Sequence, residues 1–149
     1  MDFGLWTKLA PKLLPHGIMS IQHFEDLQVW KKSRELTKLV YAIAKTGALS
    51  KDFGLRDQIQ RSAVSIMANI AEGFERGGDK EFGQFLSLAK GSCGEVRSHL
   101  HVAGDQGYIT QEVHDDLAAR ALEVSRMISG LMTYLRSSGF RGTKFKSNP

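Results

Sequence analysis

Two successive stretches of this sequence space their apolar residues in steps of four and three, alternating except for one repeated four. That period narrows the possible folds more than any other feature. Phe82, Leu86, Ala89, Cys93, Val96, Leu100 and Ala103 make the first series, and Val113, Leu117, Ala121, Val124, Ile128, Leu131 and Leu135 make the second. A mean step near 3.5 residues holds one narrow apolar stripe along a helix, the pattern of helices packed side by side in bundles and coiled coils. The first series predicts a helix over about Lys80 to Gly104, with Asp79 as its N-cap and Gly107 as its stop. The second predicts a helix capped by Thr110 and ended by Gly139.

The first half of the chain supplies two more helices. From about Glu25 to Thr46, Val29, Leu36, Val40 and Ile43 fall within a narrow arc at 100° per residue, and Gly47 is a plausible C-terminal cap. From about Leu55 to Glu72, Leu55, Ile59, Ala63, Ile66 and Ile70 recur every three or four residues. Gly73 is expected to end that helix, with Gly73 to Gly78 read as a turn by composition. Four amphipathic helices with short joints and no alternating strand pattern predict an all-α, up-down four-helix bundle. A chain of 149 residues can bury roughly 70% of its unfolded surface, which is enough for a core without staples. Gly91, Gly94, Gly104 and Gly130 fall inside predicted helices and hint at close packing or a subunit contact. Residues 24–139 are read as the bundle, 1–23 as a loose leader or docking segment, and 140–149 as a basic tail. Met1 and Met19 are both candidate starts.

Composition removes several classes. The single Cys93 allows neither an intramolecular disulfide framework nor a cysteine zinc ribbon, and fits a reducing compartment. No apolar run approaches the roughly 18–20 residues of a membrane-spanning helix, and Met1-Asp2 is a poor start for a signal peptide. The expectation is a soluble, cytoplasmic domain. His99 and His101, two apart, point about 200° from each other on a helix and cannot hold one ion together. No HExxH, ExxH or cysteine cluster is present, so no metal and no cofactor is expected.

Two constellations remain. On the second helix Gln58, Arg61, Ser65, Asn69 and Glu72 form a polar stripe beside the apolar one. It reads either as a ligand site or as a structural network reaching Ser92 and Glu95 of the third helix. Without a nucleophile–base pair or a metal set to complete a reaction, the structural reading and a non-enzymatic protein are expected. On the first helix Lys31, Arg34, Lys38 and Lys45 share the arc opposite the core, with Trp30 and Tyr41 at its edge and Leu27 within it. The net charge of +4 is concentrated in the first half and in the tail, where Arg141, Lys144 and Lys146 stand without an acid. Arg56 and Arg76, near the ends of the second helix, add to the basic set. Cations interleaved with aromatics suit phosphate contact and base stacking, and a merely solvated outer face is the alternative.

The segments Phe24 to Trp30 (FEDLQVW), Leu55 to Arg61 (LRDQIQR) and Ser65 to Phe74 (SIMANIAEGF), with Gly91-Ser92 and Glu95, closely resemble a known four-helix bundle family. Its members include proteins encoded in intervening sequences of large-subunit ribosomal RNA genes, and the accessory variability protein of diversity-generating retroelements forms a related branch. The resemblance covers about Phe24 to Ile109 and is closer to the intervening-sequence branch. Met67 departs from it, standing where a proline is common. The resemblance implies a homopentameric ring without known catalysis. In the retroelement branch it also implies a basic surface for RNA or DNA and a reverse transcriptase partner. A protein-binding scaffold ring without a nucleic-acid role is the alternative function.

Overall fold

The computed structural model describes residues 21–138. Four helices account for most of them: α1 (Gln28–Ala44), α2 (Phe53–Glu75), α3 (Asp79–Asp105) and α4 (Gln111–Ser138). Single 3-10 turns at Phe24–Asp26 and Ala48–Lys51 precede α1 and α2. Among the described residues there is no strand. Helix α1 packs on α2 and α4, α2 on α3, and α3 on α4, so the four helices close around one core with up-down connections.

The stripes expected from the sequence meet in that core. All seven residues of the α3 series are buried, and in the α4 series only Val113 stays partly exposed. On α2, Ile59, Ala63, Ile66 and Ile70 are buried, and on α1 Val29, Leu36 and Val40. Ser33 and Ala44 complete the inner face of α1, where the Ser33 hydroxyl is satisfied by donating to the Val29 carbonyl at 2.7 Å. Thr37 ties the first two helices together by donating to Ser33 O at 2.8 Å and across to Ala63 O at 3.3 Å.

Three boundaries differ from expectation, each for a local reason. Helix α1 begins at Gln28 rather than Glu25, because Leu27 is extended (φ −67°, ψ 126°). Leu27 therefore leaves the outward arc that the helical wheel assigned it and is buried at 3% exposure. Gly73 does not end α2. The helix runs two residues further, and the chain turns at Gly77, whose φ of 78° suits a residue without a Cβ. Asp79 is the first residue of α3 and not its cap, although its carboxylate accepts from the Lys80 N–H at 2.8 Å.

The remaining ends follow sequence chemistry. Asp52 caps α2 by accepting from the Leu55 N–H at 3.1 Å, and Thr110 caps α4 by accepting from the Val113 N–H at 3.2 Å. Helix α3 closes in a Schellman motif: Tyr108 N–H donates to Ala103 O and Gly107 N–H to Gly104 O, both at 2.9 Å, with Gly107 at φ 70°. The leader residues 1–20 and the tail, including Arg141, Lys144 and Lys146, lie outside the described residues.

Candidate nucleic-acid interface

Why the outer face of α1 is basic follows from its register. With Val29, Leu36 and Val40 turned inward, residues half a turn away must face solvent, and those positions carry Lys31, Arg34, Lys38 and Lys45. All four are exposed and none forms an ion pair among the described residues. Lys32 shows the contrast one position on. It lies between Glu35 at 3.9 Å and Glu123 of α4 at 4.0 Å, so its charge is spent within the chain. From Lys31 to Lys45 the arc runs roughly 21 Å along the helix.

The aromatic edge of this arc is fixed from below. Trp30 is half-buried, packs edge-to-face on Phe24 at 5.2 Å, and carries the Arg34 guanidinium 5.7 Å from its ring centre. Tyr41 is half-buried on the same side, and its hydroxyl makes no hydrogen bond among the described residues. At the far end, Arg56 is held by its Nη1 donating to Ser50 O at 3.0 Å, with Asp57 at 3.4 Å. Arg76 stands about 30 Å away at the other end of α2. It pairs with Glu72 at 2.9 Å and lies over the Phe85 ring at 5.4 Å, so it belongs to a different patch.

The polar stripe of α2 divides in two. Ser65 and Ser92 place their hydroxyl oxygens 2.8 Å apart across the α2–α3 seam, and Asn69 Nδ2 donates to Ser65 O at 2.8 Å and Ser65 Oγ at 3.0 Å. Ser92 is also within 3.2 Å of Leu88 O. These three side chains form one interhelical network. Glu72 turns to Arg76 instead, and Gln58, Arg61 and Glu95 are exposed without a side-chain hydrogen bond among the described residues.

Several organising groups carried no local sequence signal. The Tyr108 hydroxyl donates to Asp52 Oδ2 at 3.0 Å, joining the end of α3 to the cap of α2 and raising the Tyr108 pKa above its ordinary value near 10. The His114 ring of α4 lies 4.6 Å from that of His101 of α3, tilted 52° to it. Its Nδ1 meets Asp115 at 3.1 Å, a bond that lowers the Asp115 pKa, and its Nε2 is buried without a partner among the described residues. No group of three or more histidine, cysteine or acidic side chains among the described residues could hold a metal ion. Cys93 is fully buried, and desolvation pushes its thiol up to about 12, the behaviour of a small core hydrophobe. No helix among the described residues is long and apolar enough to cross a membrane.

The fold and its surface thus define an all-helical bundle that displays an unpaired basic face. The chain belongs to the 23S rRNA-intervening sequence protein family, whose model matches residues 25–130. A crystal structure of a protein of unknown function from the S23 ribosomal protein family of Bacteroides thetaiotaomicron superposes with a TM-score of 0.64 at 25% sequence identity. The match covers 70% of this chain and 97% of that one. No curated protein matches the sequence.

Proposed function

We propose that this chain is a non-enzymatic, oligomeric accessory protein of the cytoplasm that binds RNA or DNA through the outer face of α1. One observation carries the reading. Lys31, Arg34 and Lys38 are exposed on one helix face and form no ion pair among the described residues. Cations that are not engaged within the chain can meet phosphates and release their counterions, the main source of non-specific nucleic-acid affinity.

The sequence resemblance implies the further step to a homopentameric ring, in which five copies of a weak basic face would act together. A surface suited to contact between copies lies on the outside of α3. There Leu88 and Val102 are 58% and 43% exposed, and a Cβ added at Gly91 or Gly94 would meet nothing within 4 Å. A reverse transcriptase acting on the bound nucleic acid is the proposed protein partner. The exposed apolar residues also favour a second reading, a scaffold ring that binds only protein.

Charge reversal separates the two. Fluorescence anisotropy with a labelled oligonucleotide should show log affinity falling linearly with log salt. The triple variant Lys31→Glu, Arg34→Glu, Lys38→Glu should bind weakly and with a shallower slope. Equal affinity in wild type and variant overturns this assignment of the surface. No binding at low salt, together with a stable protein partner, favours the scaffold.

A further inference from the structure

Phe53 is the most exposed of the large apolar side chains among the described residues, at 63%, and nothing in the packing of the bundle accounts for it. It is the first residue of α2, and the Arg56 guanidinium covers its ring at 4.7 Å from the centroid. The other aromatic–arginine pairs are built differently. Trp30 is seated against Phe24, and Phe85 is half-buried beside Gly73. Among the described residues Arg56 is the one group set over the Phe53 ring, and most of its surface is exposed.

The ring also stands on a fixed mount. Its neighbour Asp52 caps the helix at the Leu55 N–H and accepts from the Tyr108 hydroxyl, while Arg56 is tethered to the Ser50 carbonyl. A mount of this kind fixes the backbone under the ring and the guanidinium over it, which lowers the cost of ordering the site on binding. Position adds the last element. The short link from Lys45 to Asp52 puts the C-terminus of α1, and so the end of the basic arc, at the same end of the bundle as Phe53. Lys45 and Lys51 lie on that link, both exposed and without an ion pair among the described residues, whereas Asp52 is engaged by Tyr108 and Asp57 lies beside Arg56. On the helical wheel of α2, Phe53 falls within a fifth of a turn of Arg56 and Gln60, on the flank from which Ala63 O receives the Thr37 bond of α1.

We infer that Phe53 is a stacking platform for an unpaired base of a single-stranded nucleic acid whose backbone follows the α1 arc. An aromatic face backed by a guanidinium and approached along a line of cations fits a single strand, because every unpaired base offers a π-face and a duplex keeps its own bases stacked. This rests on the nucleic-acid reading proposed above and deepens it: the arc supplies charge, and Phe53 supplies the preference for single strands.

The test compares a labelled single-stranded oligonucleotide of mixed sequence with the blunt duplex of that sequence, at several salt concentrations, on the full chain. Phe53→Ala and Phe53→Leu should each weaken single-strand binding about 5- to 150-fold, the range of one base–aromatic stack. Both should leave duplex binding and the salt slope unchanged, and Phe53→Trp should restore wild-type affinity. Thermal melting of each variant checks that the bundle is intact. Single-strand affinity within twofold of wild type in Phe53→Ala, equal losses on duplex, or full rescue by leucine overturns the inference while leaving the arc in place. A wild-type protein that binds neither oligonucleotide overturns the nucleic-acid reading and the platform with it.

Discussion

Replacing Gly73 with alanine sets two energies of known sign against each other at one atom. Inside an exposed helix the change stabilises by about 1 kcal/mol, because alanine loses less conformational freedom than glycine. At Gly73 the added Cβ would lie 2.6 Å from Phe85 Cβ, 3.0 Å from Phe82 Cδ1 and 3.4 Å from Phe82 O. Carbon atoms pack at about 3.5–4.0 Å, so the first contact must open by roughly 1 Å. The Phe82 ring can tilt, but Phe85 Cβ moves only with the α3 backbone, so α2 and α3 must part where they pack together. Overpacking of this kind costs about 1–3 kcal/mol, and a stem-to-stem clash belongs at the upper end. The net expectation is a loss of about 2 kcal/mol, or roughly 4–8 °C in Tm for a domain of this size. Gly83→Ala, within α3, provides the control, since its Cβ meets nothing within 4 Å and the isolated helix effect should raise stability by about 0.5–1 kcal/mol. Both are measured by circular-dichroism melting at one protein concentration, because assembly makes Tm depend on concentration. If Gly73→Ala melts above wild type, as Gly83→Ala should, the close approach of α2 to α3 is refuted.

Three further outcomes follow from single contacts. Asn69→Ala removes the donor to Ser65 O and Oγ but leaves the Ser65–Ser92 pair, so chemical denaturation should show a loss of about 1 kcal/mol. The Tyr108 pKa is raised by its bond to Asp52, so the stability that bond adds is complete below pH 10 and is lost as pH climbs through the raised value. Alkaline melting should therefore separate wild type from Tyr108→Phe below pH 10 and bring them together only as pH passes the raised Tyr108 value. Cys93, buried with its thiol pushed up to about 12, should resist iodoacetamide in the folded protein and react at once in denaturant.

The architecture was legible because each helix writes its buried face as a period. The stripes of α3 and α4 mark their inner sides almost residue for residue, and the stripe of α2 does the same from Ile59 to Ile70. What the period cannot show is where a helix stops for reasons that lie in another element. Gly73 has the composition of a terminator, yet it lies inside α2, where Phe82 and Phe85 occupy the space a side chain would fill. Leu27 fits the outward arc of an ideal helix, yet an extended backbone one residue before α1 turns it into the core. Leu49, buried in the joint between α1 and α2, belongs to no periodic stripe at all.

The same distinction holds for the surface. The basic arc of α1 is local and could be read from spacing, and so could the polar stripe of α2. How that stripe divides depends on contacts the stripe does not contain: Ser92 of α3 takes up Ser65, while Arg76 draws Glu72 away. The Tyr108–Asp52 bond and the His101–His114 contact arise where separate helix ends meet, and the exposure of Phe53 depends on what packs beside it, none of which a local pattern records.

The measurement that tests the central proposal most directly is light scattering coupled to size exclusion, run with and without a mixed RNA/DNA hybrid carrying a single-stranded overhang. An oligomeric nucleic-acid binder should elute with the mass of five chains and gain the mass of the hybrid when it is added. A five-chain particle whose mass does not change would contradict the nucleic-acid role, and a single-chain mass of 16.5 kDa would contradict the ring.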